Sequence, residues 1–321
     1  MKFYLAPMEG ITGYIYRNTY KKYFNNIDKY FTPFIVTNKG TSLKTKELRD
    51  VLPENNKDIN IVPQVLTNNS EDFINTAKKL QQLGYDVVNL NLGCPAGTVV
   101  SKYRGSGFLA KREDLDIFLD EVFKMDNMKI SIKTRIGRDS ADEFYELIKI
   151  YNKYPLEELI IHPRTREDFY KNKPNLEVFK DALSLSTNPI CYNGDIFTTA
   201  DYDKFINAFP KVKSIMIGRG ILANPALISE IKDDNYLDKK VLKDFHDEIF
   251  QQYRELFNED KNAIFRMKEL WGYMIYIFSD NKKYAKKIRK AQKLDDYNYA
   301  VASLFNEQEI IKGAGLFSDI D

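Results

Sequence analysis

Cysteine is scarce in this chain: 321 residues contain two, Cys94 and Cys191, far apart in sequence. That excludes a disulfide framework and makes a reducing compartment, the cytoplasm, the expected location. Neither cysteine has a second one at ligand spacing, so no metal is expected. Long apolar runs are also missing. No stretch approaches the length that crosses a bilayer, and the opening Met1 to Pro7 is too short and too soon interrupted for a signal peptide, so no membrane partner is expected. An excess of one charge is absent as well, since 48 Lys and Arg face 46 Asp and Glu for a net charge of +2. This excludes a global field that would draw in nucleic acid, and any such partner must be met by local patches. From Leu237 onward there is no proline at all.

What is present is a run of eight short apolar segments in the first 220 residues. They are Phe3 to Ala6, Phe31 to Ile35, Ile59 to Val65, Val87 to Leu90, Ile130 to Lys133, Leu159 to His162, Pro189 to Tyr192 and Ser214 to Ile217. Each is followed by enough chain for one crossover helix, and eight strand and helix units are the number that closes a barrel. Between them, Glu71 to Leu83 follows a cap signal at Ser70 and stops at Gly84. Pro33 and Pro63 fall inside two of the segments, where they cannot donate to a ladder. After a polar break at Asp233-Asp234-Asn235 the pattern turns long and helical. The chain therefore reads as α/β: a (β/α)8 TIM barrel over residues 1–232, followed by a C-terminal all-helical domain over 233–321.

The segments deliver polar groups to one rim: Pro7-Met8, Gln64, Asn91 with Cys94, Lys133 with Arg135, His162, Asn193-Gly194-Asp195 and Gly218-Arg219-Gly220. In a barrel of parallel strands the C-terminal ends form the active face, so their coincidence points to a shared ligand. The stations after strands seven and eight are where barrels hold phosphate through backbone amides, and Arg219 can pair with its oxygens. Cys94 sits on a turn between Gly93 and Pro95, a position compatible with thiol attack, redox switching or metal binding. Cys191, within an apolar strand, reads as a small buried hydrophobe. Thr98 to Lys111, with Lys102, Arg104, Gly105 and Gly107, reads as a mobile loop closing over the site. In the tail, basic residues crowd between Asn281 and Lys293 with no acidic residue, while Tyr284, Ile288 and Ala291 recur at helical spacing. That is a helix with one packed stripe and a basic remainder, taken alone a solvated face.

With these motifs assembled, the chain resembles the tRNA-dihydrouridine synthases, a flavoprotein family. The resemblance rests on Ala6 to Thr12, Asn89 to Pro95, Lys133 to Gly137, His162 to Arg166, Asn193 to Asp195 and Met216 to Gly220, in order along the barrel. It implies FMN across the barrel mouth, with its phosphate near Gly194, Gly218 and Arg219 and with Asn193 and Asp195 among the cofactor-binding residues. Pro7 and Met8 would lie along the isoalloxazine, and Gln64, Lys133 and His162 would meet its polar edge and ribityl chain. It implies NADPH as reductant and, for Cys94, the role of general acid toward carbon 5 of a uracil, a proton transfer that thiols perform. Asn91 would orient the target base or the flavin, and Arg164 and Arg166 would meet the RNA at the rim. Lys286, Arg289 and Lys290 of the basic helix would grip surrounding tRNA. A monomer is expected. Two other readings stay open on the residues: a flavin barrel reductase of a small molecule such as a free pyrimidine or enoate, and a tRNA-binding protein without turnover.

Overall fold

The computed structural model describes residues 1–37 and 43–316. The chain resolves into two compact units. One comprises Met1–Pro7, Lys29–Gly194 and Phe209–Met216, the other Met8–Asp28, Asp195–Ala208 and the chain from Ile217 onward.

The first unit carries nearly all of a parallel sheet of ten strands. These are β1 (Lys2–Leu5), β2 (Lys29–Phe31), β3 (Ile35–Val36), β4 (Ile61–Val62), β5 (Gln64–Leu66), β6 (Val87–Leu92), β7 (Lys129–Gly137), β8 (Leu159–Thr165), β9 (Ile190–Tyr192) and β10 (Ser214–Ile217). Their order is β3-β5-β6-β7-β8-β9-β10-β1-β2-β4. Pro33 divides β2 from β3 and Pro63 divides β4 from β5, because neither can donate to a ladder. Yet β2 pairs with β4 and β3 with β5, so the two ends of the order belong to the same two strands. Ten segments thus fill eight positions of a closed (β/α)8 barrel, the expected architecture, with the prolines as interruptions inside real strands.

Side chains alternate along a strand, so every second residue points inward. Tyr4, Ala6, Phe31, Val62, Ile160, Cys191 and Met216 form one buried apolar cluster, drawn from β1 and the residue just beyond it, β2, β4, β8, β9 and β10. Cys191 is fully buried there, and burial raises its thiol well above the ordinary cysteine value. At the cluster's edge, Glu158 accepts from the Tyr4 hydroxyl at 3.0 Å and from Ser214 Oγ at 3.1 Å. Outside the sheet, the helix Ser70–Gln82 is capped by Asn69, whose side chain accepts from Asp72 N at 2.8 Å. Ser70 is already the first helical residue, so the cap lies one position earlier than its hydroxyl suggested.

The second unit is helical. Its longest helices are Lys239–Phe257 and Asp260–Met274, and Lys282–Lys290 and Leu294–Glu307 follow. Phe245 packs edge-on against Tyr16 and Phe24 at ring separations of 5.7 and 5.3 Å, joining Tyr14–Tyr23 to Lys239–Phe257. His246 is buried beside Tyr297, 2.7 Å from its hydroxyl, with Asp247 2.8 Å from its other ring nitrogen, and burial lowers its pKa. Among the described residues no helix is long and apolar enough to cross a membrane.

Candidate active site

Within the first unit the inward alternation that makes the apolar cluster continues toward the strand C-termini and turns polar. Val62 gives way to Gln64, Ile160 to His162 and Arg164, and Cys191 to Asn193, while β6 contributes Asn89 and Asn91 and β7 contributes Ser131, Lys133 and Arg135. Strand register sets them side by side, Gln64 against Asn89, Asn91 against Lys133 and Arg135 against His162. β7 and β8 run on to Gly137 and Thr165, so Lys133 and His162 lie inside long strands and not at their tips.

A relay of buried amides crosses this rim. Asn89 Nδ2 donates to Ser131 Oγ at 2.8 Å, and Asn89 Oδ1 accepts from Gln64 Nε2 at 2.7 Å. Gln64 Oε1 in turn accepts from Asn91 Nδ2 at 2.7 Å. The relay ends at the cysteine, where Asn91 Oδ1 accepts from the backbone N–H of Gly93 at 3.0 Å and of Cys94 at 2.6 Å. Buried amides need such partners, and here the partner at the end of the line is the turn that carries the thiol. Gln64 therefore commits its amide to Asn89 and Asn91, and Asn91 commits its own to Gln64, Gly93 and Cys94.

Cys94 itself is half-buried, and its turn is held from two further sides. Its carbonyl accepts from Ser106 N at 3.0 Å and from Ser106 Oγ at 2.9 Å. Gly105 makes that approach possible: its φ is +56°, and a Cβ there would stand 2.7 Å from the Cys94 carbonyl oxygen. From the other side, the buried Arg135 donates through Nε to Gly93 O at 2.9 Å, and through one terminal nitrogen to Thr165 O at 2.6 Å and Phe169 O at 3.0 Å. Its guanidinium lies 5.4 Å from the Tyr170 ring centroid. The stretch after Cys94 is accordingly not an open loop. It forms a helical turn at Gly97–Val100 and a 3-10 helix at Gly105–Ala110. Gly105 to Leu109 are buried, while Ala96 to Thr98 and Ser101 to Tyr103 are exposed.

Lys133 is the electrostatic singularity of the rim. It is half-buried beside the amide relay and makes no hydrogen bond or ion pair among the described residues. Burial, and then the nearby Arg135 charge, push its ammonium down to about 8. His162 is buried, with Nε2 3.1 Å from a terminal nitrogen of Arg164, and Arg164 also donates to Asn172 O at 2.5 Å. Arg164 thus lies inside the unit holding His162, whereas Arg166 is half-buried, paired with Glu167 and 5.0 Å from the Phe169 ring. Asn193 donates to Met216 O at 2.9 Å. Gly194 is closed against Tyr192, whose hydroxyl would be 2.0 Å from any Cβ added there. Pro7 ends this part of the unit, half-buried after β1.

The remaining expected residues belong to the second unit. Met8 opens a turn in which its carbonyl accepts from Ile11 and Thr12 N–H, each at 3.0 Å. Gly218 precedes the short helix Arg219–Ala223, and Arg219 is held 2.6 Å from Asp195 and 5.1 Å from the Phe197 ring. A carboxylate repels phosphate, so Asp195 suits the task of aiming Arg219 better than that of a phosphate ligand. On the helix Lys282–Lys290, Tyr284 and Ile288 are buried as the spacing predicts. Lys286, Arg289 and Lys290 are exposed and pair with nothing among the described residues.

Comparison with known proteins bears directly on this arrangement. The family model for dihydrouridine synthase matches residues 4–313. The chain belongs to the dihydrouridine synthase family. Relatives include tRNA-dihydrouridine synthase B of Pasteurella multocida, 29% identical over 79% of this chain and 77% of that protein. A probable tRNA-dihydrouridine synthase of Staphylococcus aureus is 27% identical over 99% of this chain and 93% of its own length. The match to the family thus spans barrel and helical tail alike. Among solved structures, morphinone reductase superposes with a TM-score of 0.52 at 10% identity, over 74% of this chain and 87% of that one. The same enzyme in complex with tetrahydroNAD gives 0.50 at 12% identity, over 75% and 89%. These likenesses show the barrel fold.

Asn89 and Ser131, which complete the relay, were not among the expected site residues, and Arg135 was expected at the rim, but its hold on the Cys94 turn, like that of Ser106, was not. The signal available for the first was the alternation Asn89-x-Asn91 on one face of a strand.

Proposed function

We propose that this chain reduces the 5,6 double bond of particular uridines in tRNA, using FMN and NADPH, with Cys94 as general acid. The observation that carries the reading is the half-buried Cys94, on a backbone turn held from three sides at the polar end of a barrel whose matched family is the dihydrouridine synthases. The residues present fit a flavin. Lys133 is a half-buried cation lacking a counter-charge among the described residues, and a ring edge that becomes negative on reduction supplies one. Gln64 and His162 border the same rim, and Arg219, already aimed by Asp195, is suited to a phosphate.

The chemistry that a bound FMN supplies is hydride transfer, taken from NADPH and delivered to carbon 6 of the uracil. Cys94 Sγ then gives its proton to carbon 5, where the electron pair of the former double bond collects. Asn91 and Arg135 keep the turn still so that the thiol is aimed before substrate arrives. A uridine in folded tRNA must leave its stack to reach a barrel interior, and the helical domain at 233–321, with Lys286, Arg289 and Lys290, holds the surrounding RNA. We place the enzyme in the cytoplasm as a monomer.

The test is to incubate purified protein, FMN and NADPH with unmodified tRNA and to measure dihydrouridine by mass spectrometry. Dihydrouridine at discrete positions is the expected result. NADPH oxidation stimulated by free pyrimidines or enoates, with tRNA unchanged, would instead identify a small-molecule reductase.

A further inference from the structure

Tyr103 is a bulky aromatic residue in a backbone conformation that such residues avoid. Its φ is +51°, and among the described residues at positive φ all others but Phe169 are asparagine, aspartate or glycine. A left-handed conformation at such a residue is strained and persists only where its surroundings dictate it. Here they do. Tyr103 N donates to Val100 O at 2.9 Å and Arg104 N to Val99 O at 3.2 Å. The neighbouring Asn68 donates to Lys102 O at 3.1 Å and accepts from Arg104 Nε at 3.4 Å. What the strain achieves is to turn an aromatic ring outward: Tyr103 is 45% exposed, even with the Lys111 ammonium 5.0 Å from its ring centroid.

The surroundings of that ring are basic. Lys102 and Lys111 are exposed and Arg104 half-buried, and no acidic residue falls between Cys94 and Arg112. The segment that carries the ring is also tied to Cys94, for three residues later Ser106 donates to the Cys94 carbonyl, with Gly105 packed close against it. An outward aromatic face among cations is the arrangement on which unpaired nucleobases stack while phosphates are neutralised alongside.

We propose that Tyr103 is a stacking platform for an unpaired base of the tRNA near the target uridine, with Lys102, Arg104 and Lys111 on the adjoining phosphates. This rests on the tRNA reading above. It assigns to the fixed segment after Cys94 the task of holding RNA open beside the reaction, distinct from the grip of the helical domain.

The variant to make is Tyr103→Asn, because asparagine accepts the left-handed backbone and removes only the ring. Its tRNA dissociation constant, measured on the flavin-loaded enzyme, is expected to rise about tenfold, and that of Tyr103→Phe to stay within about twofold of the parent, since stacking needs the ring and not the hydroxyl. Unchanged binding by Tyr103→Asn would overturn the proposal, as would equal weakening by Tyr103→Phe. A change in oligomeric mass with tRNA affinity intact would assign the ring to a protein contact and overturn it as well. If the parent enzyme itself binds no tRNA, the functional reading fails with it, an outcome separate from one in which parent and variant bind alike.

Discussion

At the scale of the residue, Lys133 and Gly105 bear the most weight. The Lys133 ammonium, pushed down to about 8 by burial, carries its charge below that pH and loses it above. A ring edge that turns negative on reduction prefers the charged form, so the preference for reduced over oxidised flavin, read as the midpoint potential, is expected to weaken as pH rises through about 8 and beyond. Potentiometric titration of the flavin-loaded protein across this range checks it, and in Lys133→Met the potential should be lower with this pH-dependent step absent. Gly105→Ala meets two penalties, a positive φ and a Cβ 2.7 Å from the Cys94 carbonyl. Together they should cost roughly 1–3 kcal/mol of stability. A lower Tm with a fall in kcat of more than about tenfold is expected, because displacement of the thiol by as little as about 1 Å is enough. Cys94, Lys133 and His162 were legible in the sequence as candidates, from residue type and a shared rim, although β7 and β8 run past Lys133 and His162 where strand ends were expected. The roles of Asn89 and Arg135 were not, because they depend on register. Only pairing tells that Asn89 faces Gln64 and that Arg135 can reach back to Gly93.

At the scale of the element, the apolar segments marked all eight barrel positions, and the prolines inside two of them mark breaks in the ladder and not errors of assignment. The segment 98–111, expected as a loop, carries a helical turn and a 3-10 helix for a physical reason. Glycine and basic residues usually signal a loose loop, whereas here Gly105 serves close packing against the Cys94 backbone. The basic helix is the converse case, since Tyr284 and Ile288 at helical spacing announced its buried stripe and left the cations to solvent. Replacing Lys286, Arg289 and Lys290 by glutamine removes exposed charges that pair with nothing among the described residues. Folding should be unchanged within about 0.5 kcal/mol. The affinity for tRNA should fall, and the slope of log affinity against log salt should shrink by roughly 2–3, one unit or slightly less for each phosphate left without its cation. Binding measured at several salt concentrations checks both, and an unaltered slope would remove these residues from the RNA surface.

At the scale of the whole molecule, the family match over residues 4–313 and the rim of the barrel point to one activity. Two cysteines make that claim unusually clean to test, because the chain contains its own control. Cys191 fills the inner apolar cluster, far from solvent, so Cys191→Ala should cost about 1 kcal/mol of stability through poorer packing and leave chemistry in place. Cys94 sits at the rim, fixed by Asn91, Ser106 and Arg135. The most direct measurement is the dihydrouridine content of tRNA from a strain lacking its own synthase, after introduction of the parent protein, Cys191→Ala or Cys94→Ala. Restoration by the first two is expected, and its loss in Cys94→Ala with flavin still bound. Normal dihydrouridine from flavin-loaded Cys94→Ala would contradict the role of Cys94 as general acid.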